Sequence, residues 1–130
     1  MADIALRTRK TQEMIDITQQ VTDEVRRTGV SNGLCLVFVP HATAALVINE
    51  NADPNVCQDI MDAMGRLVPK GGWRHDRIDN NAAAHIKATI LGPSETVPVQ
   101  GGTLRLGTWQ RLMLVEFDGP RDRMVIVEVR

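Results

Sequence analysis

The sequence is poor in aromatic residues: Phe, Trp and Tyr together make up 3% of its 130 residues, and tyrosine is absent. Proteins that bind single-stranded nucleic acids stack the bases on aromatic side chains, so the composition argues against that class. The formal net charge of -1 also argues against nucleic-acid and membrane-surface proteins, which need clustered positive charge. A core without aromatics depends on Val, Ile, Leu and the six methionines. We therefore expect oligomerisation to supply additional buried area.

Cysteine and long apolar runs are scarce as well. The two cysteines, Cys35 and Cys57, lie 22 positions apart, which excludes a disulfide framework and a CxxC redox or zinc motif. Both thiols are predicted to lie in the core. The longest apolar run covers six residues, 34–39, whereas a membrane span needs ~20. The first ten residues are polar and do not resemble a signal peptide, so the expected location is the cytoplasm.

The length and the even composition predict a single domain over residues 1–130, because no linker, charge block or internal repeat divides the chain. The apolar pattern predicts, in order, strands 4–9 and 14–17 paired as a hairpin, a helix 18–28, strands 33–39 and 44–48, helices 54–67 and 82–91, and strands 96–99, 103–117 and 124–129. This mixed order indicates the α+β class, with a mainly antiparallel sheet and about three helices packed on it.

Local residue chemistry predicts where the helices begin and end. Thr18 is a candidate cap for the first helix, and Gly29 can end it in the left-handed conformation. Asp53 followed by proline is typical of a helix start. An apolar stripe then predicts the buried face of the second helix; it consists of Val56, Ile60, Met64 and Leu67. The segment 69–81 is a long loop that contains Trp73 and His75, and loops of this length are often functional.

The three histidines, His41, His75 and His85, lie at the edges of predicted elements, with acidic or amide residues close by in the sequence. An imidazole can bind a divalent metal or carry a proton near neutral pH. Their separations of 34 and 10 residues match no local metal motif such as HExxH. A single histidine in such a position is usually structural, and the three together favour a functional site.

Further polar positions admit a functional and a structural interpretation. Between a strand and a helix, Asn49 and Glu50 are candidate pocket groups, while Asp53 acts mainly as a cap. Five segments stay open between ligand contact and turn formation: Thr43 after a buried strand, the Gly101-Gly102 pair, Arg105, the Trp109-Gln110 pair beside a strand glycine, and the turn from Glu116 to Arg121.

Four segments carry a resemblance to a known family: HATAALVINENADP (41–54), the loop His75, NAAAHIKATILGPS (81–94) and GGTLRLGTWQRLMLVEFDGPR (101–121). In this order and spacing the chain resembles the YjbQ family, small proteins described as secondary thiamine-phosphate synthases. The resemblance implies an α+β fold, a homotrimer, and the joining of hydroxymethylpyrimidine diphosphate to thiazole phosphate with release of diphosphate. The chain departs from the family pattern at two places. Many relatives carry an acidic residue just before the histidine that corresponds to His85, where this chain has alanines at 82–84, and residues 41–44 read HATA instead of the more common HTTA.

The site that the resemblance implies combines three roles. Catalytic residues would be His41, Glu50, Asp59 and His85. Substrate would be bound by Thr43, Asn49, Gly101, Gly102, Arg105, Trp109, Gln110 and Glu116, of which Arg105 and the two glycines are added as candidate phosphate contacts. A divalent ion, Mg²⁺ or Zn²⁺, would be held by His41, His75 and His85, and no organic cofactor is expected.

The predicted chemistry is displacement of diphosphate at a pyrimidine methylene, where fixed donors and a cation stabilise the charge that develops on the leaving group. The predicted partner is thus a small phosphorylated substrate, with neither nucleic acid nor membrane. Two alternatives stay open: a protein that binds a phosphorylated metabolite without transforming it, and a metal-dependent hydrolase with a metal-bound water.

Overall fold

The chain forms two antiparallel sheets and three α-helices, and the computed structural model describes all residues, 1–130. The strands are β1 (Ala2–Arg7), β2 (Glu13–Asp16), β3 (Asn32–Phe38), β4 (Ala44–Asn49), β5 (Ser94–Gln100), β6 (Thr103–Leu104), β7 (Arg111–Glu116) and β8 (Asp122–Val129). The helices are α1 (Thr18–Thr28), α2 (Pro54–Leu67) and α3 (Ala82–Leu91), with a short 3-10 helix at Arg74–Arg77. The fold is α+β, as the sequence predicts.

The strands divide into a five-stranded sheet, in the order β1-β8-β3-β5-β6, and a three-stranded sheet, in the order β2-β7-β4. The predicted hairpin of the first two strands is wrong: β1 pairs with β8 and β2 pairs with β7. The single predicted strand 103–117 is also wrong, because β6 and β7 belong to different sheets. In both cases the alternating pattern identifies a strand but does not identify its partner.

The main core lies between the two sheets and is closed by α1. Buried side chains of β3, β5 and β8 face those of β4 and β7, and Ile17, Val21 and Val25 of the α1 segment complete the cluster. On the other side of the three-stranded sheet, α3 packs through Ala84 and Ala88 against Val115 and Phe117. The small alanine side chains bring α3 close to the sheet.

The ends of the helices confirm two of the predictions and correct two. Asp53 caps α2, since its Oδ1 accepts a hydrogen bond from the Asn55 amide at 2.9 Å, and Gly29 ends α1 in the left-handed conformation. Thr18 is not a cap: it is the first residue of α1, and its hydroxyl bonds the Leu112 backbone. The predicted α2 stripe is wrong at its end, where Leu67 is 72% exposed.

One face of the five-stranded sheet is apolar and uncovered, and we call it the outer sheet face. It carries Leu34, Leu36 and Phe38 of β3 and Met124 of β8, with exposed fractions between 38% and 57%. In the sheet register, Leu34 lies opposite Pro98 and Phe38 opposite Ile126. None of the three α-helices is both long enough and apolar enough to cross a membrane.

Candidate functional site

Two of the three histidines contact each other at the mouth of an open cavity. The rings of His75 and His85 meet edge to face with their centroids 4.9 Å apart. The cavity has a volume of about 610 Å³ and is lined by Gly72, Trp73, Arg74, His75, Ala82, His85 and Ile86. This volume lies within the ~300–1,000 Å³ of typical small-molecule sites.

The loop before α3 is held in place by a single carboxylate. Asp76 Oδ2 accepts a hydrogen bond from the Trp73 amide at 3.2 Å, and Asp76 Oδ1 accepts one from the Ala82 amide at 3.1 Å. Asp76 thereby joins the 3-10 helix to the first residue of α3. The Trp73 indole N–H donates to the Pro69 carbonyl at 2.9 Å, so the orientation of the indole ring is defined as well.

The third histidine borders a neighbouring depression of about 330 Å³, which it shares with His85. The depression is lined by His41, Ala42, Ala44, His85, Ala88, Thr89 and Pro93. His85 therefore belongs to both hollows and separates His41 on one side from His75 on the other. The three histidines thus line two hollows that share His85, and we call these two hollows together the histidine groove.

His41 is held as a hydrogen-bond acceptor. Its Nε2 accepts the Met124 amide proton at 2.9 Å, and because a backbone N–H can only donate, this nitrogen presents its lone pair. The other ring nitrogen of the neutral imidazole carries the proton and can donate. Burial lowers the pKa of His41, and the Arg123 guanidinium lowers it further, whereas the Glu116 carboxylate acts in the opposite direction. The lowered pKa favours the neutral form of His41, in which Nδ1 carries the proton and can act as a hydrogen-bond donor.

Glu116, a predicted substrate contact, forms a buried ion pair with Arg123. Glu116 is fully buried, and its carboxylate accepts hydrogen bonds from Arg123 at 2.9 Å and from the Thr8 hydroxyl at 2.7 Å. Burial alone would raise the pKa of Glu116, but these bonds and the Asp118 amide hold it below its usual value. Thr43 accepts a bond from Arg123 at 2.8 Å. Glu116 and Thr43 therefore stabilise the strand ends through Arg123, and their contact with substrate stays a prediction.

The predicted carboxylate of the site lies at the far end of β4. His41 precedes this strand and Glu50 follows it, and the six residues of β4 span roughly 17 Å. Neither Asn49 nor Glu50 lines the histidine groove. Within one chain, the three imidazoles and this acid do not line one concavity, because β4 is extended and holds its ends apart.

Trp109 lies near that far end, in a separate hollow of about 220 Å³. The hollow is lined by Asp16, Asn51, Ala52, Thr108, Trp109 and Arg111. Arg111 Nε donates to Asp16 Oδ2 at 2.7 Å. Burial would raise the pKa of Asp16, but the bonds from Arg111, Thr18 and Asn51 outweigh it and lower the pKa to about 2.

The remaining predicted contacts belong to turns or to exposed surface. Gly101 and Gly102 have positive φ angles of 59° and 76° and form the turn between β5 and β6, a conformation that favours glycine. Arg105 donates to the Gln100 side chain at 2.9 Å, and Gln110 accepts from the Gly107 amide at 2.8 Å. Asp59 is exposed on α2 and lines none of the cavities.

The two thiols differ in environment. Cys35 is buried, as predicted, and burial raises its pKa to about 11. Cys57 is half-buried on α2, contrary to the prediction of a core position.

Two buried charged residues were missed from the sequence. Arg123 is in phase with Val125, Val127 and Val129, which all face the core of β8. Lys87 follows Ala83 and Ala84 on the buried side of α3. In both cases the signal was present: a charged residue occupies a position that the period of the element assigns to the interior.

The residues of one chain do not fit a three-histidine metal centre. No group of three or more His, Cys, Asp or Glu side chains is placed to hold a metal ion. The acceptor nitrogen of His41 is already occupied by the Met124 amide. His75 Nε2 lies 3.7 Å from Asp79 Oδ2, so the His75–His85 pair has one carboxylate nearby, but these three side chains do not form a metal-binding group.

Comparison with known proteins gives consistent matches over the whole chain. The family model described as UPF0047 protein YjbQ-like matches residues 2–130. A UPF0047 protein of Archaeoglobus fulgidus is 53% identical over 127 residues, covering 97% of this chain and 98% of the relative. The UPF0047 protein YugU of Bacillus subtilis is 40% identical over 129 residues, covering 97% and 96%.

Solved structures agree with these matches. The crystal structure of an uncharacterized YjbQ/UPF0047 family protein from Clostridium acetobutylicum has a TM-score of 0.96 at 44% identity, covering 100% of both chains. A protein of unknown function from Sulfolobus solfataricus P2 has a TM-score of 0.95 at 43% identity, covering 98% of this chain and 94% of that one.

Proposed function

Since the chain belongs to the YjbQ-like UPF0047 family, we propose that it is a thiamine-phosphate synthase of the secondary type that its sequence resembles. The reaction joins hydroxymethylpyrimidine diphosphate to thiazole phosphate and releases diphosphate. One observation carries the proposal: His85 lies between two adjacent hollows of about 610 and 330 Å³. Such an arrangement would hold one reactant on each side of a shared polar group, and holding two reactants close together in the right orientation accelerates a transfer between them.

The larger hollow suits the pyrimidine diphosphate. Trp73 offers an indole face whose orientation is defined by its bond to Pro69, and Arg74 offers a permanent cation for the diphosphate. The smaller hollow has small walls of alanine and a neutral His41 whose free N–H can donate to the phosphate of the thiazole. Arrangement of both substrates around His85 would bring the reacting atoms together.

In the proposed step, the thiazole nitrogen attacks the exocyclic methylene carbon of the pyrimidine. A C–N bond forms while the C–O bond to diphosphate breaks, and the bonding electron pair leaves with the diphosphate. Arg74 and the imidazole N–H groups stabilise the negative charge that develops there. Because a three-histidine ligand set does not fit one chain, no step depends on a protein-bound metal, and Mg²⁺ enters only as the counter-ion of the diphosphate substrate.

We further propose that the active assembly is a homotrimer in which the outer sheet face is covered by another subunit. The support is the row of exposed apolar side chains at Leu34, Leu36 and Phe38. Met124, on the same face, donates its amide proton to His41, so the histidine groove lies at the rim of this face. Assembly would allow the Asn49–Glu50 end of one subunit to complete the groove of another.

The activity test uses purified protein, both substrates and Mg²⁺, with diphosphate and thiamine phosphate measured together. We expect turnover, and we expect His85→Ala to lower it by ~10²-fold or more, as is typical for loss of a donor that stabilises developing negative charge. Gln20→Ala is the matched control, because Gln20 is an exposed residue on α1. Turnover no higher than that of heat-killed protein would refute the proposal.

The two alternatives give different outcomes in the same experiment. A binding protein would give heat of binding with one phosphorylated substrate in calorimetry and no product. A metal-dependent hydrolase would release phosphate from one substrate alone, and elemental analysis would find near-stoichiometric metal in the active protein.

The assembly is tested by light scattering. We expect a mass three times the chain mass of 14.4 kDa and its loss in Leu36→Asp. Leu67→Asp is the matched control, since Leu67 is an exposed leucine on α2, outside the outer sheet face. A monomer mass for the unmodified protein would refute the trimer.

A further inference from the structure

A further small cavity, which shares no lining residue with the histidine groove, contains a buried lysine. We call it the Lys87 cavity; it has a volume of about 60 Å³ and is lined in part by Thr11, Gln12, Lys70, Asn81, Lys87 and Asp118. Lys87 is only 4% exposed. Its ammonium lies 5.6 Å from the centroid of the Phe117 ring and forms no ion pair with a carboxylate. Burial lowers the pKa of Lys87, and no charged partner opposes this effect. Buried charges in proteins are normally paired, so Lys87 lacks an expected anion.

A second polar group in the same cavity also lacks a partner. Asn81 Nδ2 donates to Asp118 Oδ2 at 2.8 Å, and since a carboxylate can only accept, this bond defines which end of the amide is the oxygen. The Asn81 Oδ1 atom is buried and has no hydrogen-bond partner. An unsatisfied buried acceptor costs free energy. Asn81 Oδ1 therefore requires a donor that the protein does not supply.

Backbone donors are available beside these groups. Ala83 and Ala84 line the cavity and belong to the first turn of α3, where amide protons have no partner within the helix. The Ala82 amide is used by Asp76, and the His85 amide by the Asn81 carbonyl. The amides of Ala83 and Ala84 are thus left without a partner, and both residues line the same cavity as Lys87.

The carboxylate of Asp118 does not take the place of the missing anion. It accepts a hydrogen bond from Arg121 Nη2 at 2.8 Å in addition to the bond from Asn81. Its charge is therefore compensated by Arg121 rather than by Lys87, and the repulsion that it would exert on an incoming anion is reduced.

From these contacts we propose that the Lys87 cavity binds a small oxyanion that carries one O–H group, of the class of hydrogen phosphate. Its charged oxygens accept from the Lys87 ammonium and from the first-turn amides of α3, and its O–H donates to Asn81 Oδ1. The cavity volume of about 60 Å³ is several times the ~10–15 Å³ that one water molecule requires, which leaves room for a small oxyanion. The inference stands independently of the proposed synthase activity, because none of these residues lines the histidine groove.

The chain contains only three lysines, Lys10, Lys70 and Lys87, so NMR of protein labelled with ¹³C-lysine gives three resolvable reporters. We expect titration with inorganic phosphate, at constant ionic strength in chloride buffer, to shift the Lys87 Cε signal along a saturable curve. The Lys10 signal serves as the internal control because its side chain is exposed and lies outside the cavity. A Lys87 signal that stays unmoved up to millimolar phosphate, or that follows Lys10, overturns the proposal.

Variants provide a second and independent measurement by calorimetry. Lys87→Met removes the ammonium with little change in volume, and we expect it to weaken phosphate binding roughly tenfold or more. Lys10→Met removes the same charge elsewhere and should bind as the unmodified protein does. Equal affinity of the two variants contradicts the proposal. If Lys87→Met fails to fold, Asn81→Asp provides the same test, because a second carboxylate in the cavity repels the anion.

A phosphate monoester in a parallel titration distinguishes the source of the anion. Saturation by both compounds indicates the head group of a larger metabolite, and saturation by inorganic phosphate alone indicates the free ion. Either result supports the site, and absence of a response to both overturns it.

Discussion

The buried pair of Glu116 and Arg123 makes a prediction that can be worked through from its contacts. We consider the two single variants Glu116→Gln and Arg123→Met and the double variant that combines them. In the unmodified protein, Glu116 is fully buried and Arg123 is 6% exposed, and Arg123 binds both the carboxylate and Thr43. Either single change leaves the other member as a charge in the interior without its counter-ion.

The expected cost follows from desolvation. Removal of one member of a buried ion pair costs about 3–5 kcal/mol, whereas removal of both costs much less than the sum, because no unpaired charge remains. Groups that contact directly show coupling energies of up to ~3 kcal/mol. We therefore expect each single variant to lose a large part of the ~5–15 kcal/mol that stabilises a typical domain, and the double variant to recover part of that loss.

The assay is urea unfolding followed by far-UV circular dichroism, with all four proteins at the same concentration. The pH dependence has a defined sign. Because the pKa of Glu116 is held below its ordinary value of 4.5, the ion pair stabilises the protein above that pH. This contribution is lost as the pH falls through the lower folded-state pKa. Glu116→Gln should lack this part of the acid sensitivity.

A second readout separates the electrostatic argument from a general loss of packing. Arg123 lowers the pKa of His41 and Glu116 raises it, so Arg123→Met should raise the pKa of His41 and Glu116→Gln should lower it, as measured by NMR. The reasoning would be refuted if the losses of unfolding free energy in the two single variants added up to the loss in the double variant. It would also be refuted if the pKa of His41 shifted in the same direction in both single variants.

Three further predictions concern other parts of the fold. Asp16, whose pKa is lowered to about 2, should contribute stability above its ordinary pKa of 3.8 that is lost between pH 3.8 and 2. Asp16→Asn should remove about 1–2 kcal/mol of this acid-sensitive stability in urea unfolding, because Arg111 is 45% exposed and water screens the pair. Gly119→Ala should destabilise the protein by ~2 kcal/mol or more in thermal unfolding, because its Cβ would lie 2.2 Å from the Lys10 carbonyl oxygen. Gly65→Ala, where nothing lies within 4 Å of the added Cβ, should stabilise α2 by ~0.5–1 kcal/mol; an equal effect of the two glycine substitutions would contradict both expectations.

The elements themselves were largely predictable from the sequence, because their evidence is local. Capping by Asp53, the left-handed Gly29 and the α3 segment depend on neighbouring residues only. Strand partners were not predictable, since β1 pairs with β8 across more than a hundred residues. A short apolar alternation identifies a strand but carries no information about which sheet it joins.

The site was predictable in part. His41, His75 and His85 line two hollows that share His85. Within one chain Glu50 does not join them. It is close to His41 in the sequence, but the extended strand β4 lies between the two residues and holds them apart. The burial and pairing of Glu116 were not predictable, because its partners, Thr8 and Arg123, belong to two other strand ends.

The length of β4 has a consequence for whether two inactive variants of this protein can restore activity to each other. If catalysis needs His85 from one protomer and Glu50 from its neighbour, lesions at the two ends of the strand are complementary. Two inactive populations, His85→Ala and Glu50→Gln, would regain part of the lost turnover when unfolded and refolded together, because mixed oligomers contain junctions with both groups intact. A genetic screen could use the same rescue to count how many protomers share each junction.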